Sequence, residues 1–208
     1  MTDETPDGPD EAAAGSAMPA DPFPETADAV RADLDADPAL ASAVLEVEKH
    51  VAEQGWDQPA RLFALVDTAA LVAQEPALAA AMGLDQPSED GSFTPVEQDQ
   101  LDPATAIEEV LPGIVWPDAV AGCAAVVERV VLPPDADAEI PEDPDEAAAF
   151  AATHPDRQEM RLVAGTTRSG STYCAMRFRS HDEDHLVVGG TDLVPSLLEL
   201  LAATLVED

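Results

Sequence analysis

The alternation of apolar and polar positions first becomes helical after residue 36. In "DPALASAVLEVEKHVAEQG", apolar residues recur at the spacing of one helix face, at Leu40, Val44, Val47 and Val51. Asp37 can cap this helix, Pro38 fits its first position, and Gly55 supplies the stop. The pattern therefore predicts an amphipathic helix that ends before Gly55.

Later segments have the pattern of strands, with alternating or continuous β-branched and apolar residues. They are "RLFALVD", "SFTPVEQDQL", "AGCAAVVERVVLPP" and the two halves of "EMRLVAGTTRSGSTYCAMRFRS". Pro95 makes the second an edge strand, because proline cannot donate to a neighbour. The last segment predicts a hairpin closed by a two-residue Ser169-Gly170 turn. That closure would place Val163 opposite Met176 and Leu162 opposite Arg177.

Helical segments lie between and after these strands. "TAALVAQEPALAAAMG" predicts one or two short helices broken near Pro76, "DPATAIEEVLPG" a short helix with an Asp-Pro start, and "DPDEAAAFAATHPD" a helix capped by Asp143. In "TDLVPSLLELLAATLVED", Thr191 or Asp192 would cap a helix whose buried stripe is Leu197, Leu198, Leu201 and Leu205.

The order of the helices and strands predicts an α+β domain over residues 37–208. We expect an antiparallel sheet of about five strands with helices on one face, flanked by the N-terminal and C-terminal helices.

Charge limits the classes of partner. The chain has 43 acidic and 9 basic residues, a formal charge of −34. Nucleic acids and anionic membranes are bound chiefly through Lys and Arg, so neither is an expected partner. Residues 1–36 combine ten acids with few large apolar groups and are predicted to be a disordered acidic tail.

The compartment is predicted from the absence of targeting signals and from the cysteines. "MTDETPDGPDE" lacks the basic start and apolar run of a signal peptide, and no stretch is long and apolar enough to span a bilayer. Cys123 and Cys174 lie in strand-like apolar runs and are interpreted as buried, reduced thiols. We therefore expect a cytoplasmic protein.

The stretch "RFRSHDEDH", residues 177–185, concentrates charged and metal-ligating residue types. His181 and His185 are four apart, but that spacing brings ligands together only on a helix, and the stretch follows a strand. No phosphate-binding glycine loop and no nucleophile motif is present. The sequence predicts no catalytic residue, no cofactor and no metal site.

Basic residues are concentrated on the predicted strands, which hold five of the nine: Arg61, Arg129, Arg161, Arg177 and Arg179. Guanidinium groups on one sheet face could bind a small anion or an acidic partner through paired hydrogen bonds. The candidate residues for such a site are Arg161, Arg177, Arg179 and His181. We favour the alternative that these arginines pair with the protein's own acids, including those of the tail or of the loop 135–146.

Three long segments carry a resemblance to a known family: "VEKHVAEQGWDQPARLFALVDTAALVAQEPALAAAMG", "VWPDAVAGCAAVVERVVLPPDADAEIPEDP" and "FRSHDEDHLVVGGTDLVPSLLELLAATL". Over about residues 38–206 the chain resembles a family of conserved, uncharacterised actinobacterial proteins of similar length. The resemblance implies no activity, cofactor or catalytic residue. The element order is also similar to that of secretion-chaperone-like α+β domains, which implies dimerisation and partner binding through a sheet or helix surface.

Two functions remain open at this point. The favoured one is a non-enzymatic interaction or adaptor protein with an unidentified protein partner, which we expect to form a homodimer. The alternative is a small-anion binder or enzyme that uses a pocket formed by the sheet-face arginines with His181 or His185.

Overall fold

The computed structural model describes residues 36–81, 83 and 91–206. The predicted acidic tail lies outside the described residues, except for Ala36. The helices are α1 Pro38–Ala52, α2 Thr68–Gln74, α3 Pro76–Ala81, α4 Ile107–Val110, α5 Pro144–Thr153 and α6 Pro195–Thr204. The strands are β1 Arg61–Asp67, β2 Phe93–Glu97, β3 Val120–Val131, β4 Gln158–Thr167, β5 Thr172–Phe178 and β6 Val188–Gly190.

The strands form one antiparallel sheet in the order β2-β1-β3-β4-β5-β6. The α+β class is confirmed, with six strands where the sequence predicted about five. The three-residue β6 adds the extra strand, and Pro95 lies on the edge strand β2 as predicted. None of the helices within the described ranges combines the length and apolar character needed to cross a membrane.

Helices cover both faces of the sheet, so the prediction of helices on one face was wrong. Helix α1 packs on one face, and α6 with α4 packs on the other. The central strands explain this arrangement, because β3 to β5 are apolar at successive positions and must be buried on both sides. The α1-side core comprises Leu40, Ala43, Val44, Val47, Val51, Phe63, Leu65, Ala124, Val126, Val163, Tyr173 and Ala175. The α6-side core includes Leu62, Ala64, Cys123, Ala125, Val127, Leu162, Ala164, Cys174, Leu197, Leu198 and Leu201.

Helix α1 follows its sequence signals closely. The Asp37 carboxylate accepts hydrogen bonds from the backbone N–H groups of Ala39 and Leu40, and Pro38 occupies the first turn. The predicted apolar stripe is fully buried. The buried face also holds Glu48, which is only 2% exposed and points toward the sheet.

The β4–β5 hairpin differs from the predicted one by one residue. Its loop is Arg168–Gly170, in which Gly170 has φ of +88°, and the Thr167 N–H donates to the carbonyl of Ser171. A three-residue loop of this kind needs a left-handed residue before the second strand, and glycine supplies it. Leu162 therefore faces Met176 and Arg161 faces Arg177. A one-residue slip moves side chains between faces, so Arg177 joins the α1 side.

Two helix starts lie later than predicted. Helix α6 begins at Pro195, because Thr191 is held beside β5 by a hydrogen bond from the Thr172 hydroxyl to its carbonyl, and Pro195 disfavours helical geometry at Val194. No side chain caps this helix. Asp102 caps a turn through the Ala104 N–H and α4 begins only at Ile107.

Candidate functional site

A row of charged side chains crosses the α1 face of the sheet. The register pairs Glu128 of β3 with Arg161 of β4, and Arg161 with Arg177 of β5. Helix α1 lies over this row and contributes Glu48. Arg161 and Arg177 are 0% and 2% exposed, so both guanidinium groups are interior charges.

Carboxylates of the same chain surround Arg177. Its Nε and Nη2 donate to the two oxygens of Glu48 at 2.6 and 2.8 Å, a paired geometry that matches guanidinium to carboxylate. Nη1 donates to Asp182 at 3.3 Å, and Nη2 also donates to Asp184 at 2.9 Å. The hydrogen bonds from Arg177 to Glu48 raise the pKa of Arg177 above its ordinary value, so the group stays charged.

Trp56 contacts the other two arginines. The guanidinium carbon of Arg161 is 4.5 Å from the centre of the indole ring, and that of Arg179 is 5.6 Å from it. The indole N–H donates to Asp182 at 2.9 Å. We call Trp56, Arg161, Arg177, Arg179 and their carboxylates the arginine–tryptophan cluster. It joins the loop after α1 to β3, β4 and the segment after β5.

Arg161 is the most enclosed member of the cluster. Its Nη2 donates to Glu128 at 2.8 Å and to the carbonyl of Gly55. Glu128 in turn accepts hydrogen bonds from the backbone N–H groups of Asp57 at 2.8 Å and Gln58 at 3.3 Å. Nε and Nη1 of Arg161 have no acceptor among the described residues. The loop 55–58 therefore closes over a buried cation.

Arg179 holds the outer side of the same loop. It donates to both oxygens of Asp57, at 2.8 and 2.9 Å, and to Glu159 at 2.7 Å. Asp57 has φ of +66°, a left-handed conformation that aspartate tolerates better than most residues. The hydrogen bonds from Arg179 lower the pKa of the Asp57 carboxyl below its ordinary value.

Three of the four predicted site residues thus lie together, and His181 does not join them. His181 is exposed, and its Nδ1 is 2.9 Å from the hydroxyl of Ser180. The cleft beside Trp56 measures about 150 Å³ and is lined by neither Arg177 nor His181. This cleft is therefore not the shared pocket of Arg177, Arg179 and His181 on which the alternative function was based.

Among the described residues, the carboxylates paired with Arg161, Arg177 and Arg179 are those of Glu48, Asp57, Glu128, Glu159, Asp182 and Asp184, and none of these lies in the loop 135–146. No local pattern in the sequence indicates that Trp56 belongs to the cluster, since its distance from Arg161 depends on how the loop after α1 folds. Glu48 did carry a signal that we missed. It lies between Val44 and Val51 on the apolar side of α1, where a buried carboxylate needs a cation.

Metal-ligating and thiol chemistry receives no support from the geometry of the described residues. Within these residues no three His, Cys, Asp or Glu side chains are arranged to hold a metal ion. Cys123 and Cys174 are buried and unpaired, as predicted. Burial raises the pKa of each thiol to about 11, which leaves them protonated and weakly nucleophilic at neutral pH.

A second feature of the molecule is an apolar groove on the opposite face of the sheet, of about 380 Å³. It runs between α6 and the ends of β3 and β4. Its apolar lining includes Val127, Met160, Leu162, Leu193, Leu197 and Leu200. The first turn of α6 and the ion pair of Glu108 with Arg129 also line the groove. The groove is larger than the clefts beside Arg61, of about 270 Å³, and beside Trp56.

The groove has a closed floor and accessible walls. Val127, Leu162 and Leu197 are buried and belong to the core on the α6 side. Met160 and Leu200 are only partly buried, so they offer apolar surface to a binding partner. Arg129 donates to Glu108 at 2.7 Å, and the two side chains are 42% and 45% exposed.

Comparison with known proteins places the chain by family. The family model of the PPA1309-like proteins matches residues 40–206. The chain belongs to the PPA1309-like protein family. The match spans all but the first two residues of α1, all six strands and α6, and so includes both the arginine–tryptophan cluster and the groove. No curated protein and no solved structure matches the chain. The actinobacterial source and the chaperone-like resemblance stay predictions.

Proposed function

We propose that this PPA1309-like protein is a non-catalytic interaction protein that binds a protein partner in the apolar groove. The observation that carries the proposal is the groove itself. A chain with a formal charge of −34 leaves Met160 and Leu200 accessible beside a cleft of about 380 Å³. Accessible apolar clefts bordered by polar groups are typical of binding sites.

The arginine–tryptophan cluster supports this assignment, because its arginines already have carboxylate partners within the chain. Arg177 is bound by Glu48, Asp182 and Asp184, and Arg179 by Asp57 and Glu159. An anionic ligand would have to displace these carboxylates and overcome the cost of desolvating its own charge. The cluster therefore fits a role in holding the fold, which leaves the groove as the better binding surface.

A second candidate function, binding of a small anion, is favoured by one observation. Nε and Nη1 of the buried Arg161 have no acceptor among the described residues, and an anion could supply one. Entry of the anion would require the indole ring of Trp56 to move away from the guanidinium of Arg161. Quenching of the tryptophan fluorescence by added phosphate, absent in an Arg161→Gln variant, would support this candidate.

The proposed compartment is the cytoplasm. Two buried cysteines that form no disulfide fit a reducing environment, where thiols stay unpaired. The strong negative charge fits a protein that stays soluble among nucleic acids without binding them.

The test is affinity capture of partners by the wild-type chain and by a Leu200→Asn variant, from cells that produce the natural protein. Asparagine keeps the net charge and removes apolar surface from the groove wall. Arg157→Gln, an exposed change outside the groove, is the control. The thermal midpoint of each variant shows that it is folded.

We expect a defined protein to be captured by the wild type and the control and to be depleted at least tenfold with Leu200→Asn. The captured protein is then purified and its Kd measured. Equal capture by all three chains would contradict the proposal. Loss of capture only in an Arg177→Lys variant of normal stability would move the binding site to the arginine–tryptophan cluster.

A further inference from the structure

We infer that the groove takes an apolar side chain of a basic peptide segment, whose Lys or Arg replaces Arg129 on Glu108. This inference rests on the proposed function and names the chemistry of the partner. Three features carry it: the apolar lining, the Glu108–Arg129 pair at the groove, and the charge of the chain.

The apolar lining determines the first part of the partner. Leu193 and Leu200 are partly buried against the α6-side core, and Met160 is partly exposed between β3 and β5. A partner side chain that enters between them removes apolar surface from water on both sides. Because the lining offers few polar groups, the inserted side chain should be aliphatic or aromatic.

The ion pair of Glu108 with Arg129 at the groove determines the second part of the partner, its basic residue. Glu108 and Arg129 are both about half exposed, and an exposed ion pair contributes little net stability. Exchange of Arg129 for a partner's cation therefore costs the protein little. The carboxylate of Glu108 is already suited to a cation. Burial raises its pKa, but hydrogen bonds from its own backbone N–H and from Arg129 outweigh that effect, so the pKa lies below its ordinary value.

The charge of the whole chain separates a basic partner from other occupants. A formal charge of −34 attracts a cationic segment and speeds its association, whereas it repels an acidic segment. It equally opposes a second copy of this chain. A basic segment with an apolar side chain is thus the occupant that fits both the lining of the groove and the negative electrostatic potential of the chain.

The experiment uses two synthetic amphipathic peptides with identical leucines, one carrying lysines and the other glutamates in their place. Binding to the full chain is followed by fluorescence anisotropy of a dye on each peptide. Four variants are compared with the wild type: Glu108→Gln, Arg129→Gln, Leu200→Asn and Met160→Asn. Glu109→Gln is the matched control, since it removes the same charge from the same helix without lining the groove.

The lysine peptide should bind, with a Kd about two- to fivefold higher in Glu108→Gln and lower in Arg129→Gln, because one exposed ion pair is lost or released. Leu200→Asn and Met160→Asn should each weaken binding at least fivefold, and Glu109→Gln should change it less than Glu108→Gln. Leu200→Asn and Met160→Asn lie on different elements, so a folding defect in one leaves the other as the test.

Other results overturn the inference. Equal effects of Glu108→Gln and Glu109→Gln would show general attraction to an acidic surface, as would binding that neither groove variant weakens. Tighter binding of the glutamate peptide, weakened by Arg129→Gln, would assign an anionic partner and leave the groove as the interaction surface. A dimer in sedimentation, lost with Leu200→Asn, would assign the groove to a second copy. Absence of binding by both peptides would remove the basic-segment assignment, while the capture experiment still tests the groove.

Discussion

Glu48 and Arg177 place opposite charges between α1 and the sheet, each almost completely removed from water. Desolvation makes such a pair expensive, and its paired hydrogen bonds offset that cost only while both partners are present. Removing Glu48 leaves the buried Arg177 with only the more exposed carboxylates of Asp182 and Asp184. The Glu48–Arg177 contact is therefore where a single substitution should show whether the arginine–tryptophan cluster holds the fold.

A Glu48→Gln substitution should lower the free energy of unfolding by about 3 kcal/mol, because Arg177 keeps Asp182 and Asp184 but loses its buried partner. Urea unfolding followed by circular dichroism measures the change. The control is Glu159→Gln, which removes a more exposed carboxylate from Arg179 and should cost less than about 1 kcal/mol. Equal losses in the two variants would mean that burial does not distinguish the pairs.

Asp57 gives a prediction for acid pH. Its hydrogen bonds with Arg179 hold its pKa below the ordinary value of 3.8 in the folded state. The lowered pKa contributes stability that is present above the unfolded pKa and is lost as pH falls through the folded pKa.

The thermal midpoint of Asp57→Asn should therefore lie below that of the wild type at neutral pH. The gap should close as pH falls below about 4. Asn also tolerates the positive φ of this position, so the backbone need not change. Asp118→Asn, at an exposed position outside the cluster, should show no such closing gap. A gap that widens toward acid pH would contradict the assignment.

At the scale of elements, close approach of α1 to β4 depends on a glycine. A Cβ placed on Gly165 would lie 2.6 Å from Cγ2 of Val44 and 3.4 Å from Cδ1 of Leu40. Both are buried residues of the α1 stripe. Helix α1 can therefore reach the sheet here only because β4 carries no side chain at this position.

Gly165→Ala should accordingly destabilise the protein by about 1 to 3 kcal/mol, since the helix or the strand must shift. The free energy of unfolding in urea measures it. Gly113→Ala is the control, because nothing lies within 4 Å of the added carbon. If Gly165→Ala proves neutral or stabilising, α1 packs more loosely than the structure indicates.

Local sequence signals predicted the helices and strands themselves better than they predicted the register in which the strands pair. Asp37, Pro38 and the apolar stripe determine α1 within its own sequence, and Pro95 marks an edge strand by its missing N–H group. The hairpin register could not be read in the same way, because a two-residue and a three-residue loop both suit Ser169-Gly170. The choice depends on burying Ala175 under α1, which is a contact between distant segments.

For the whole molecule, the main unpredicted feature is that both sheet faces are covered. Continuous apolar stretches in β3 and β4 are the physical signal for it, but they cannot say which helix covers which face. The candidate site shows the same limit. The arginines were visible on the strands, whereas Trp56 and Glu48 join them only through packing. The groove forms where α6 packs beside the ends of β3 and β4, so no local sequence motif predicts it.

The charge of the whole chain gives a prediction about salt. At neutral pH a formal charge of −34 opposes the compact state through self-repulsion. Raising sodium chloride from about 0.1 to about 1 M shortens the screening length from about 10 to about 3 Å. The thermal midpoint should therefore rise by several degrees, although the exposed ion pairs weaken. A lower midpoint in high salt would mean that ion pairs dominate over repulsion.

The most direct test of the central claim, that a partner binds in the apolar groove while the arginine–tryptophan cluster holds the fold, is hydrogen exchange with and without the purified partner. Mass spectrometry of peptide fragments locates the protected backbone amides. The account predicts slower exchange in the segments 158–162 and 193–200, which contain the groove-lining residues of β4 and of the α6 region, and unchanged exchange in residues 177–185. Protection confined to residues 53–58 and 177–185 would contradict it.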